Sequence, residues 1–76
     1  MVFFVWYDDS PKKLTADKLQ DAIAAYVERF QTRPTLVLIN AADHHERTDI
    51  TVRSERTVQP NTFWLGHQDH ADLASA

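Results

Sequence analysis

Two short runs, Val2 to Tyr7 and Thr35 to Ile39, are apolar at both of their alternating positions, and one amphipathic segment lies between them. Side chains alternate across a strand, so a run apolar on both sets belongs to a strand covered on both faces, and Val2 to Tyr7 reads as a central strand of the sheet. In the first run the sets are Val2/Phe4/Trp6 and Phe3/Val5/Tyr7, rich in the β-branched and aromatic types that suit a pleated surface. Both sets are apolar, so the pattern leaves open which of them faces the helix. Strand, helix and strand make a β-α-β unit, whose crossover is right-handed and whose two strands run parallel.

The connecting segment repeats Leu19, Ala22, Ile23, Tyr26, Val27 and Phe30 on one helical face. The spacing predicts a helix over about 16–31, with Thr15 as N-cap and a hydrophobic staple between Leu14 and Leu19. Asp17 and Asp21 sit toward the positive helix end and Arg29 and Arg33 toward the other, and Pro34 biases Arg33 out of the helix. Downstream, Asn40 to Thr48 reads as a polar loop. Ile50 to Val58 alternates, with Thr51, Arg53, Glu55 and Thr57 on a solvated face. Pro60 and Asn61 occupy the centre of a tight turn that folds Phe63, Trp64 and Leu65 back as an antiparallel strand. The expected fold is therefore α/β of an α+β-like kind, a small β-α-β-β-β mixed sheet with one covering helix. Residues 1–66 form the single domain and 67–76 a C-terminal tail.

At 76 residues the chain supports one core, and a chain this short buries only about 60–65% of the surface its unfolded form exposes. It has no cysteine, so packing, oligomerisation or a His/carboxylate-bound metal must supply further stability. No apolar run reaches the roughly 18–20 residues that span a bilayer. The opening also lacks the charged start and small-residue cleavage site of a signal peptide, which makes the cytoplasm the expected compartment and a membrane an unexpected partner. The net charge of −3 comes from 11 acidic and 8 basic residues without a basic block, which argues against nucleic acid as a general partner.

One helix covers one face of a sheet whose strands are apolar on both. An uncovered aromatic face would exceed the few hundred Å2 that a monomer tolerates. The sequence therefore points to a homo-oligomer or a protein partner that meets Phe3, Phe4, Trp6, Tyr7, Phe63 and Trp64.

Ligands of parallel β-α-β units bind beyond the carboxyl ends of the strands. That edge collects Asp8 and Asp9 after the first strand and Asn40, Asp43, His44 and His45 after the second. Asp8, Asp9, His44 and His45 have the chemistry to hold a divalent ion that activates water for phosphodiester hydrolysis. The same residues equally make ordinary turns, in which carboxylates accept backbone amides. His67 and His70 offer a second pair of imidazoles at helical spacing, without a third ligand nearby. Arg53 and Arg56, with Arg47, Trp64 and Phe63, form a candidate basic and aromatic surface for single-stranded nucleic acid, interrupted by Glu55. Gly66 is the only glycine, which excludes glycine-rich phosphate and dinucleotide loops. No nucleophile motif is present, so no catalytic residues and no cofactor are assigned. The expected function is a non-catalytic interaction or assembly module, homodimeric through its aromatic face. The alternative is a metal-dependent phosphodiesterase or nuclease.

The opening Met1-Val2-Phe3-Phe4-Val5-Trp6-Tyr7-Asp8-Asp9, an apolar strand closed by aspartate and followed by a helix and a strand, is similar to the start of CRISPR-associated Cas2 proteins. The resemblance covers about half the chain. It implies a ferredoxin-like dimer on nucleic acid, with Asp8 as the metal-binding aspartate. The chain departs from that family between its third and fourth strands, where Gln59 to Thr62 stand in place of a second helix.

Overall fold

The structure, a computed structural model, describes residues 3–67. Its elements in chain order are β1 (Phe4–Tyr7), α1 (Thr15–Phe30), β2 (Leu36–Ile39), a 3-10 turn (Ala41–Asp43), β3 (Thr51–Ser54) and β4 (Thr62–Gly66). The strands form one mixed α/β sheet of order β1-β4-β2-β3. No helix among the described residues is long and apolar enough to cross a membrane.

The expected β-α-β unit is present but split. β1 and β2 run in the same direction with β4 inserted between them, antiparallel to both. β3 pairs with β2 in parallel and does not touch β4 as a hairpin partner. The expected β3–β4 hairpin is therefore corrected, although the turn that prompted it forms. Thr62 N–H donates to the Gln59 carbonyl at 3.2 Å, and Asn61 takes a positive φ of 64°. Composition explains the exchange of places. Phe63 and Leu65 face the helix while Trp64 points to the opposite side, so β4 is apolar on both faces and suits the centre. β3 carries Thr51 and Arg53 to solvent and suits an edge. It also stops at Ser54, because Val58 N–H turns back to the Glu55 carbonyl at 3.2 Å and Val58 is buried.

Aromatic contacts settle the faces of β1. Phe4 meets Tyr26 and Phe30 of the helix edge-on, at ring separations of 6.1 and 5.9 Å. Phe3 packs on Trp64 at 5.8 Å. Phe4 and Trp6 thus share the helix-covered side with Phe63, Leu65, Val37 and Ile39, while Phe3, Val5 and Tyr7 share the other with Trp64 and Leu38. Leu19, Ala22, Ile23 and Tyr26 close the core from the helix.

Both expectations for the start of α1 are corrected. Leu14, not Thr15, is the N-cap and makes no side-chain cap bond; its carbonyl instead accepts from Asp17 and Lys18 N–H, each at 3.0 Å. Leu14 also stands in solvent, away from any staple with the fully buried Leu19. The helix ends at Gln31, left-handed at φ 59°, whose N–H closes on the Val27 carbonyl at 2.8 Å. A second helix of a ferredoxin-like plan is absent among the described residues, where Glu55 to Asn61 pass from β3 to β4 in turns. The expected tail, from residue 68 on and including His70, lies outside the described residues.

Candidate functional site

The carboxyl ends of β1 and β2 do lie at one edge of the sheet, with the start of β4 between them. Asn61 organises this edge. Its N–H donates to the Asp43 carboxylate at 2.7 Å, its carbonyl accepts from Asp8 N–H at 3.0 Å, and its side-chain oxygen accepts from Lys18 Nζ at 3.2 Å. Lys18 is 7% exposed, and its ammonium is met by this bond and by the nearby Asp8 charge. Sequence reading missed Lys18 and the role of Asn61. The available signal was a lysine bordering the apolar helix stripe, next to Leu19.

Of the proposed metal ligands, Asp8 and His44 are engaged by neighbouring groups. Asp8 accepts from Ser10 N–H at 3.0 Å. Hydrogen bonding from Ser10, its side chain first and this backbone N–H second, followed by the Lys13 and Lys18 charges, holds its carboxyl below the ordinary value. Asp9 is exposed and lies beside Tyr7, where its charge pushes the hydroxyl above the usual tyrosine range. His44 is bound through Nδ1 to Ser54 Oγ at 2.6 Å and through Nε2 to Glu46 at 2.7 Å, while His45 is exposed. Asp8 and Asp9 are therefore not gathered with His44 and His45, and among the described residues no group of three or more His, Cys, Asp or Glu side chains could hold a metal ion. The Ser54–His44–Glu46 chain has the order of nucleophile, base and orienter. The Glu46 side chain is 80% exposed, however, and water there removes the low dielectric that such a relay uses.

A cavity of about 330 Å3 opens beyond the parallel pair β2 and β3, bounded by Asn40, Ala41, Ser54, Glu55 and Arg56. Its polar walls are engaged internally. Asn40 donates to the Val58 carbonyl at 3.0 Å and accepts from Ala42 N–H at 2.9 Å, and Glu55 pairs with Arg53 at 3.4 Å. Of the two candidate nucleic-acid residues, Arg53 therefore spends its charge on a neighbour; Arg56 is exposed at the cavity rim. Arg47 holds Asp49 in a two-point bond at 2.8 and 2.7 Å, and Arg33 adds a third contact at 3.0 Å.

This last cluster gives a pH signature. The Arg47 hydrogen bonds lower the Asp49 pKa from 3.8 to about 2. A carboxyl depressed in the folded state stabilises above its ordinary value and loses that contribution as pH falls, here between 3.8 and about 2. An NMR titration of the Asp49 carboxyl should show a midpoint well below that of a free aspartate. A midpoint near 3.8 would mean the two-point bond is not held in solution. The effect on global stability is small, because water screens this exposed pair.

The aromatic interface set divides between the two faces of the sheet. Phe63 is fully buried and Phe4 and Trp6 pack under the helix, so these three leave the expected surface; Phe3, Tyr7 and Trp64 remain on the open side. The reason is the central position of β4, which turns Phe63 into the core and carries its register partner Trp6 with it. Val5, overlooked in the sequence, joins the open side at 53% exposure beside Tyr7 at 62%. They are the only large exposed apolar side chains on the sheet among the described residues, and both belong to the edge strand β1. Trp6, on the same strand, has a buried indole N–H without a hydrogen-bond partner. No protein-family model, no curated protein and no solved structure matches this chain.

Proposed function

We propose that the protein is a non-catalytic interaction and assembly module whose partner surface is the open side of β1, with Phe3, Val5 and Tyr7 backed by Trp64. What supports this reading is the concentration of exposed apolar surface on one edge strand, Val5 and Tyr7 together. Asp8, Asp43 and His44 at the carboxyl edge of the sheet are engaged in internal bonds, which favours assembly over the metal-dependent nuclease reading.

The test is solution mass by light scattering against concentration, with and without EDTA, for the wild type and a Val5→Ser/Tyr7→Ser variant. Substitutions at exposed positions leave stability within about 0.5 kcal/mol, so the variant keeps its fold. The wild type should exceed the 8.8 kDa of one chain as concentration rises, be unmoved by EDTA, and lose the excess in the variant. A wild type that stays monomeric at several hundred micromolar defeats the reading.

A further inference from the structure

The two edges of the sheet are built differently. β3 closes one edge with Arg53, followed by Glu55 and Arg56, the charged residues that discourage edge-to-edge pairing. β1 closes the other with Phe4, Val5, Trp6 and Tyr7 and carries no charge. Its hydrogen-bonding groups are also directed outward in alternation. Asp8 N–H donates to Asn61, and antiparallel pairs alternate between bonded and non-bonded. Phe4, Trp6 and Asp8 therefore bond to β4, which leaves the amides and carbonyls of Phe3, Val5 and Tyr7 aimed at an edge that no strand among the described residues occupies.

Resting on the assembly reading above, we infer that the occupant of this edge is a second copy of the chain, its β1 paired antiparallel with the first across a two-fold axis at Val5. The outward groups of β1 fix the permitted registers to those that pair odd-numbered residues with odd-numbered residues. Centred on Val5, Tyr7 of each copy lies opposite Phe3 of the other and Trp6 lies opposite Phe4. Of the two neighbouring permitted steps, one sets Asp9 against Phe3 and Asp8 against Phe4, which places carboxylates on rings, and the other, centred on Phe4, leaves Trp6 and Tyr7 without partners within Phe3 to Tyr7; the Val5-centred register is the one that pairs Phe3 to Tyr7 entirely with itself. It extends both aromatic clusters across the junction. On the open side Tyr7 joins the Phe3–Trp64 pair of the second copy, and on the helix side Trp6 joins the Phe4–Phe30 pair.

The helix leaves room for this. It packs over β4 rather than β1, so the two helices stand three strand spacings apart, about 14 Å. That exceeds the ~8–10 Å of closely packed helices, and Phe4, Trp6 and Phe30 of both copies fill the difference. A single short strand pair sits at the small end of specific interfaces, so the dimer is reversible and concentration-dependent.

Cysteine placement tests the register, because the chain has none of its own. Under mild oxidation at a concentration where light scattering shows dimer, Val5→Cys should give a disulfide-linked homodimer. A mixture of Phe3→Cys and Tyr7→Cys should give the mixed dimer in excess over either homodimer, and Thr51→Cys on the β3 edge should stay largely unlinked. A dimer by mass in which Val5→Cys links no better than Thr51→Cys overturns the edge pairing and leaves the assembly reading standing. A monomer by mass at every concentration overturns both.

Discussion

Phe63→Ala should lose most of the protein's stability, whereas Trp64→Ala, one residue along the same strand, should cost much less. Phe63 is fully buried at the centre of the sheet, opposite Trp6 on one side and Ile39 on the other. Truncating a buried phenylalanine costs about 3–5 kcal/mol, transfer and cavity contributions together. Small domains hold only about 0.05–0.15 kcal/mol per residue, so for 76 residues the loss is comparable with the whole stability. Urea melts followed by circular dichroism should show Phe63→Ala unfolded or nearly so in buffer. Trp64 is half-buried against Phe3 on the open side, and its truncation should leave a cooperative transition. Equal costs at the two positions would mean that the faces of β4 are assigned the wrong way round.

That contrast also marks how far the sequence could be read. The helix was legible because Leu19, Ala22, Ile23 and Tyr26 share one face, and the structure buries all four. β1 and β2 were legible as strands, but the expectation of a central strand covered on both faces failed for β1, which lies at the sheet edge with Val5 and Tyr7 exposed. Strand order was not, because periodicity reports burial and not neighbours: the turn at Pro60–Asn61 is real, yet the chain leaving it enters the gap between β1 and β2. The aromatic surface was half legible for the same reason. A run of aromatics announces apolar area, and only the insertion of β4 decides that Phe63 goes inside while Val5 stays out. At the carboxyl edge the residue types were read correctly and their use was not. Asp8 and Asp43 bond to Ser10 and Asn61, and a short polar loop looks the same in sequence whether its carboxylates hold backbone amides or a metal.

Asn61 is where that distinction has its largest measurable consequence. Its φ of 64° is left-handed, and a residue with a Cβ and no local hydrogen-bonding side chain pays about 1–2 kcal/mol there. Its side-chain oxygen is also the acceptor for the buried Lys18, and an orphaned buried donor costs about 1–3 kcal/mol. Asn61→Ala removes both and should destabilise by about 2–5 kcal/mol as the sum of these two contributions. Asn61→Gly restores the backbone freedom but not the acceptor, and should lie between Asn61→Ala and the wild type. Adding Lys18→Met to Asn61→Gly removes the stranded ammonium while keeping the apolar stem, and should recover much of the remaining loss. The Asp8 charge near Lys18 offers partial compensation, which places the Lys18 contribution toward the lower end of its range. Urea midpoints for the three variants would decide the matter: an Asn61→Gly protein as stable as the wild type would show that Lys18 draws nothing from Asn61. The edge would then hold a buried cation with the Asp8 carboxylate as its partner, and Asp8 would become the residue to substitute next.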